Sequence, residues 1–227
     1  HIMHTTDGGS TWAVQDSGIV PPPLYDVAFV DANAGWAVGL SSDVLHTTDG
    51  GETWIVQADS NGGYLYAVDF VDVNTGWVAG EAGSQGLIKH TTDGGATWLT
   101  QISGTEYDLQ DMDFLDTNNG WVVGGTYNSN QSPGLIIRTS DGGSTWSVQD
   151  SLAYIRFGVD FVDENNGWAV GCFPPILHTT NGGSTWFQQD GAGFTLYAVD
   201  FVDLNNGWVA GEGGLILHTS NGGSTWA

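Results

Sequence analysis

Apolar and polar residues alternate in short runs along this chain, and each run stops at glycine, asparagine, aspartate or proline. In the stretch LYAVDFV, Tyr66, Val68 and Phe70 fall on one side and Leu65, Ala67, Asp69 and Val71 on the other. That period of two predicts a half-buried strand over residues 66–72. Three further strands follow, over residues 76–80, 87–92 and 97–102, each bounded by turn-forming residues. We call the four A, B, C and D. No segment keeps a helical period of 3.6.

The same quartet recurs. A box stands six times: HTTDGGSTW from His4, HTTDGGETW from His46, HTTDGGATW from His90, RTSDGGSTW from Arg138, HTTNGGSTW from His178 and HTSNGGSTW from His218. A Gly-Trp motif stands five times between them, at Trp36, Trp77, Trp121, Trp168 and Trp208. With the box tryptophans Trp12, Trp54, Trp98, Trp146, Trp186 and Trp226, these account for all 11 tryptophans, so every one is assigned to packing. Four-stranded units of about 40–45 residues mark β-propeller blades. The expectation is one all-β domain over residues 4–227, a single five-bladed propeller of four-stranded antiparallel blades. The blades span about 24–59, 65–103, 108–150, 155–190 and 196–227. The N-terminal strand, within residues 4–17, is expected to complete the last blade and close the ring, which removes an open edge. Residues 1–3 are read as a cloning scar. A monomer is expected, with a strand-exchanged oligomer as the other outcome.

The box resembles the Asp-box, or bacterial neuraminidase repeat, with the pattern Ser/Thr-x-Asp-x-Gly-x-Thr-Trp. Thr47, Asp49, Gly51, Thr53 and Trp54 take its five defined places; Asp7, Asp93 and Asp141 stand where Asp49 does, and Asn181 and Asn221 replace the aspartate in the last two copies. Together with FVD-x-N-x-GW-x-x-G, the chain is similar to the propellers of the photosystem II stability and assembly factors and their non-photosynthetic relatives. That resemblance implies a non-catalytic scaffold with a protein partner and no cofactor. The box itself is read as structural, with Asp49 accepting hydrogen bonds from the Gly50-Gly51 turn.

Charge narrows the partners. Only Lys89, Arg138 and Arg156 are basic, against 26 acids, for a net charge of −23. A nucleic-acid binder needs many more cations, and an anionic membrane is disfavoured for the same reason. The single cysteine, Cys172, allows no intrachain disulfide. Sialidases share the box but hold their substrate with three arginines, and this chain has two. An exported or cell-surface location is the expectation.

Three constellations remain. Asp69, Asp113, Asp160 and Asp200 share one strand-A column that Ala28 breaks. They are read as an axial acidic ring, structural and hydrogen-bonded within each blade, with an axial cation or water site as the alternative. The Asp-x-Asn-x-Gly stretches, such as Asp72-Val73-Asn74, are read as A–B turns rather than calcium loops because the distal glutamate is absent. The box histidines are read as structural, and no metal site is expected. Diversity instead concentrates in the D–A and B–C loops, which a propeller presents on one face. Tyr64, Tyr107, Tyr127, Asn128, Phe173 and Phe194 lie there and are the candidate ligand-binding residues. They suit a protein partner, or a glycan if the propeller is lectin-like. A structural segment of a larger surface protein or filament is a third reading.

Overall fold

A computed structural model describes residues 2–15, 23–57, 62–126, 133–152, 154–191 and 193–227. The fold is all-β, a propeller of five blades built from antiparallel strands. Two compact units divide the chain, one of residues 1–83 and 87–101, the other of residues 84–86 and 102–227.

The first unit opens with a hairpin of β1 (Ile2–His4) and β2 (Ala13–Gln15). Blade 1 follows as β3 (Leu24–Phe29), β4 (Gly35–Gly39), β5 (Ser41–Thr47) and β6 (Ile55–Gln57), paired in chain order. Blade 2 repeats this with β7 (Tyr64–Phe70), β8 (Gly76–Ala82), β9 (Gln85–Thr91) and β10 (Leu99–Gln101). The second unit holds blade 3, from β11 (Asp108–Phe114), β12 (Gly120–Gly125), β13 (Gly134–Thr139) and β14 (Ser147–Leu152). Blade 4 is β15 (Arg156–Phe161), β16 (Gly167–Gly171), β17 (Ile176–Thr179) and β18 (Phe187–Gln189). Blade 5 has three assigned strands, β19 (Leu196–Phe201), β20 (Gly207–Gly211) and β21 (Leu215–Thr219).

The N-terminal strand departs from the expected closure. β2 pairs with β1, Ile2 opposite Gln15 and His4 opposite Ala13, and is not the fourth strand of blade 5. The reason is in the residues themselves. Ile2-Met3-His4 has the pattern of strand C, as in Ile216-Leu217-His218, so it fills the edge of β2. Ala227 meanwhile takes the place beside β21, exchanging N–H···O bonds of 3.0 and 2.8 Å with His218. Ile2 and Met3 thus pair as a strand of this hairpin.

The Gly-Trp motif is a packing device. A Cβ on Gly76 would lie 2.4 Å from the Phe70 ring, so only glycine lets Phe70 lie flat against strand B. The other face of Phe70 then stacks on Trp36 of the neighbouring blade, centroids 3.5 Å apart. The same overlap joins Trp121 to Phe161 at 3.6 Å and Trp168 to Phe201 at 3.5 Å. The second face of each indole is covered within its own blade, by His46 on Trp36, His178 on Trp168 and the Arg138 guanidinium on Trp121. His46, His90 and His178 therefore stack on the indole of their own blade, and burial holds all three below the ordinary imidazole range. Box tryptophans meet the same phenylalanines edge-on, as Trp98 does Phe70 at 6.0 Å and 88°. Trp36, Trp77, Trp121 and Trp168 are at most 1% exposed; Trp208 in blade 5 is 40% exposed.

Candidate functional site

Every strand A carries a β-bulge near its start. The register slips between Leu24 and Asp26, Leu65 and Ala67, Leu109 and Asp111, Arg156 and Gly158, and Leu196 and Ala198. The skipped residues are Tyr25, Tyr66, Gln110, Phe157 and Tyr197, aromatic in four blades of five. A bulge leaves its extra residue outside the ladder and re-aims the side chain. The rings meet in pairs inside each unit: Tyr25 and Tyr66 at 5.5 Å in the first, Phe157 and Tyr197 at 5.4 Å in the second.

In the second unit this arrangement borders a cavity of about 370 Å³. Blade 3 contributes Asp108 and Gln110, blade 4 Ile155, Phe157 and Cys172, and blade 5 Thr195, Tyr197 and Glu212. These residues stand at the starts of A strands and just beyond the ends of B strands. The cavity thus opens on the D–A and B–C face. One wall is fixed by a single substitution in the repeat. Arg156 occupies the column held by Leu24, Leu65, Leu109 and Leu196, and it is fully buried. Its Nη1 donates to the carbonyls of Cys172 at 3.1 Å and Pro174 at 2.5 Å, which ties down the β16–β17 connection. Nε and Nη2 have no hydrogen-bond partner among the described residues. Burial lowers this guanidinium to about 10.

Of the residues chosen from the sequence, Tyr107, Phe173 and Phe194 belong to this unit and do not line the cavity. Tyr64, Phe173 and Phe194 are exposed and Tyr107 is half-buried. Tyr127 and Asn128 fall outside the described residues. Phe157 and Tyr197 escaped notice because strict alternation assigns Tyr66 and its equivalents to the face of Val68 and Phe70, and a bulge breaks that assignment. The available signal was the aromatic column itself.

Two aspartates of the acidic column bind backbone. Asp113 Oδ2 accepts from Phe161 N and Asp160 Oδ2 from Phe201 N, each at 2.8 Å, so each carboxylate stitches one inner strand to the next blade rather than to a histidine of its own. Asp26 and Asp111, two residues earlier, do the same toward Val68 and Val159. Burial and the neighbouring Asp200 charge push Asp160 up to about 7 although its bond to Phe201 opposes this. Among the described residues no group of three or more His, Cys, Asp or Glu side chains is placed to hold a metal.

The boxes are closed structural loops. Asp49 accepts the hydroxyl and the backbone N–H of Thr53 at 2.6 and 2.9 Å and the hydroxyl of Thr47 at 2.8 Å. The Gly51 N–H goes to Thr47 Oγ1, so the aspartate braces the threonines and not the Gly-Gly backbone itself. Those bonds, that of the Thr53 hydroxyl foremost, lower Asp49 to about 2. Gly50 N–H docks the loop on Asn33 O at 2.9 Å, and Asp31 Oδ1 caps the turn by accepting from Asn33 and Ala34. Asp-x-Asn-x-Gly is therefore a turn that seats the box.

The family model for the photosynthesis system II assembly factor YCF48 matches residues 18–103, 100–186 and 148–227. The chain belongs to the YCF48 family. No curated protein matches it. A solved structure of YCF48 bound to a D1 peptide is 23% identical, with 90% of this chain and 67% of that one covered and a TM-score of 0.67. YCF48 from Cyanidioschyzon merolae is 18% identical, with 96% and 76% covered and a TM-score of 0.68. The GH74 enzyme of Niastella koreensis is 16% identical, with 90% of this chain but 38% of that one covered and a TM-score of 0.69. At these identities the structural likeness speaks for the fold. Membership of the YCF48 family connects the chain to assembly factors, while the acidic and aromatic cavity is a feature of its own residues.

Proposed function

We propose that this chain is a non-catalytic binding propeller that captures a segment of a protein partner on its D–A and B–C face. The observation that carries the reading is the cavity bordered by Phe157 and Tyr197, two bulge residues that no ladder uses. Concave sites with aromatic walls and a few polar groups are the usual shape of a binding site, and aromatic anchors dominate interface energetics. Family membership supports a protein ligand, and a YCF48 has been solved with a peptide.

Selection of a peptide-display library on the intact chain tests this. Enriched segments should bind the native protein and lose about tenfold or more in affinity to the F157A/Y197A variant. They should bind a box variant such as Thr97→Ala unchanged. Segments that ignore F157A/Y197A, or a library that yields none, would refute the reading. A glycan array run alongside decides against a protein ligand if sugars bind in this cavity and peptides do not.

A further inference from the structure

Each unit leaves one blade face uncovered among the described residues. In the first unit Phe29 lies flat on Gly35, where a Cβ would come within 2.5 Å of its ring, yet it stays 46% exposed; Phe70, Phe161 and Phe201 are 4–6% exposed. Val27 on the same strand is 50% exposed, against 4% for Val68 and Val159. In the second unit Trp208 is 40% exposed, and Ile216 is 69% exposed where its equivalent Ile176 is fully buried. We propose that these faces are two halves of one interface. Blade 5 of one molecule docks on blade 1 of a second copy of this chain, with Trp208 stacked on Phe29 of the second copy.

The repeat identifies the occupant. Three strand B tryptophans stack on the strand A phenylalanine of the following blade, Trp36 on Phe70, Trp121 on Phe161 and Trp168 on Phe201, with centroids 3.5–3.6 Å apart. Trp208 is the one strand B tryptophan, and Phe29 the one strand A phenylalanine, that solvent still reaches to this extent. β1 and β3 already frame the seat. Ile2 packs beside Ala37, Leu45 and Trp54, and β1 pairs with β2 alone among the described residues, so its other edge is open. A cavity of about 200 Å³ lies between β1 and β3, with Ile2, Met3, Tyr25 and Val27 among its walls. An open edge is a template for pairing.

β20 of the arriving copy takes that edge, with Trp208 opposite His4 and Ala210 opposite Ile2, the register it otherwise holds with His218 and Ile216. β1 thereby replaces β21. The two segments are near copies: residues 2–13 and 216–227 differ only where Leu217, Ser220 and Asn221 stand for Met3, Thr6 and Asp7. The exchange gains an outer strand, because β2 follows β1 whereas Ala227 alone stands beside β21. It also removes Trp208, Phe29 and Val27 from water. A head-to-tail contact of this kind closes a ring of copies or grows a filament.

Sedimentation velocity of the native chain tests this. The chain should self-associate at about 100 μM, and more strongly in added salt, since each copy carries a net charge of −23. Phe29→Ala and Trp208→Ala should each weaken association about tenfold or more. A mixture of the two variants should form a dimer that neither forms alone, because one keeps Trp208 and the other keeps Phe29. Hydrogen exchange in the assembled species should slow at residues 2–4 and quicken at residues 215–219. Where near-ultraviolet circular dichroism shows either variant unfolded, Val27→Glu and Ala210→Glu probe the same two faces. A native chain that stays monomeric at this concentration overturns the proposal. So does association that both variants leave unchanged, a mixture that stays monomeric, or exchange at residues 215–219 that assembly does not alter.

Discussion

Trp36 and Phe70 lie face to face, 4° from parallel, although 34 residues separate them in the chain and each belongs to a different blade. The Trp36 indole N–H also crosses, donating to Gly94 O of the blade 2 box at 3.1 Å. Trp121 repeats both contacts, on Phe161 and on Gly182 O. One residue of strand B thus joins a strand A and a box of the next blade, which is why the two motifs recur together in the sequence.

This joint should dominate stability where it is covered on both sides. Phe70→Ala removes a ring that is 6% exposed and should cost about 3–5 kcal/mol. Phe29→Ala removes the equivalent ring, which is 46% exposed, and should cost about 1 kcal/mol or less. Urea unfolding of the two variants checks the contrast. Equal losses would show that the stack contributes little.

The box aspartate should tolerate asparagine and not alanine. Asn181 and Asn221 already keep the bracing pattern, with Oδ1 accepting from the Thr185 and Thr225 N–H groups and Nδ2 donating to their hydroxyls. Asp49→Asn should leave the thermal midpoint near that of the parent, and Asp49→Ala should lower it. Because hydrogen bonds hold Asp49 at about 2, below its unfolded value, its contribution is present above pH 4 and is lost as pH falls toward 2. The asparagine variant should show less of that acid sensitivity.

Asp160 has the opposite sign. Its folded value of about 7 exceeds the unfolded one, so the native state holds more protons between pH 4 and 7. Its contribution is therefore present at low pH and is lost as pH rises through 7. The midpoint of Asp160→Asn should change less than that of the parent over this range, since the amide oxygen can still accept from Phe201 N. Carboxyl carbon NMR gives the titration directly, and a midpoint near 4 would contradict the account.

Arg156 should matter to the cavity wall more than to global stability. Replacing a buried charge by an apolar residue is often neutral or stabilising, and leucine holds this column in the other four blades. Arg156→Leu should unfold at or above the parent's midpoint. It should also free the Cys172–Pro174 carbonyls and speed alkylation of Cys172. Unchanged alkylation would mean that the connection is held by something else.

The repeat made the fold legible, because blade packing is written in residues that occur five or six times. Trp36, Phe70, Gly76 and Asp49 each do one local job, and the spacing of their copies reveals it. What escaped the sequence reading depends on single events. The bulges that turn out Phe157 and Tyr197 insert one residue and hide behind apparent alternation. The place of β1 beside β2 rests on Ile2 and Met3, two residues too few to stand out as a strand. Arg156 was visible as one of three cations, but its burial follows from the Leu column, which alignment of the strand A copies alone discloses. The partner's chemistry lies in a cavity assembled from three blades, and no contiguous stretch of sequence encodes it.

The central claim is that this face binds a protein segment, and amide chemical-shift mapping tests it most directly. A display-selected segment is titrated into the isotopically labelled native chain. The account predicts saturable shifts concentrated at residues 108–110, 155–157, 195–197 and 212. Shifts concentrated at the boxes of the same unit, around residues 139–146 and 179–186, would contradict it.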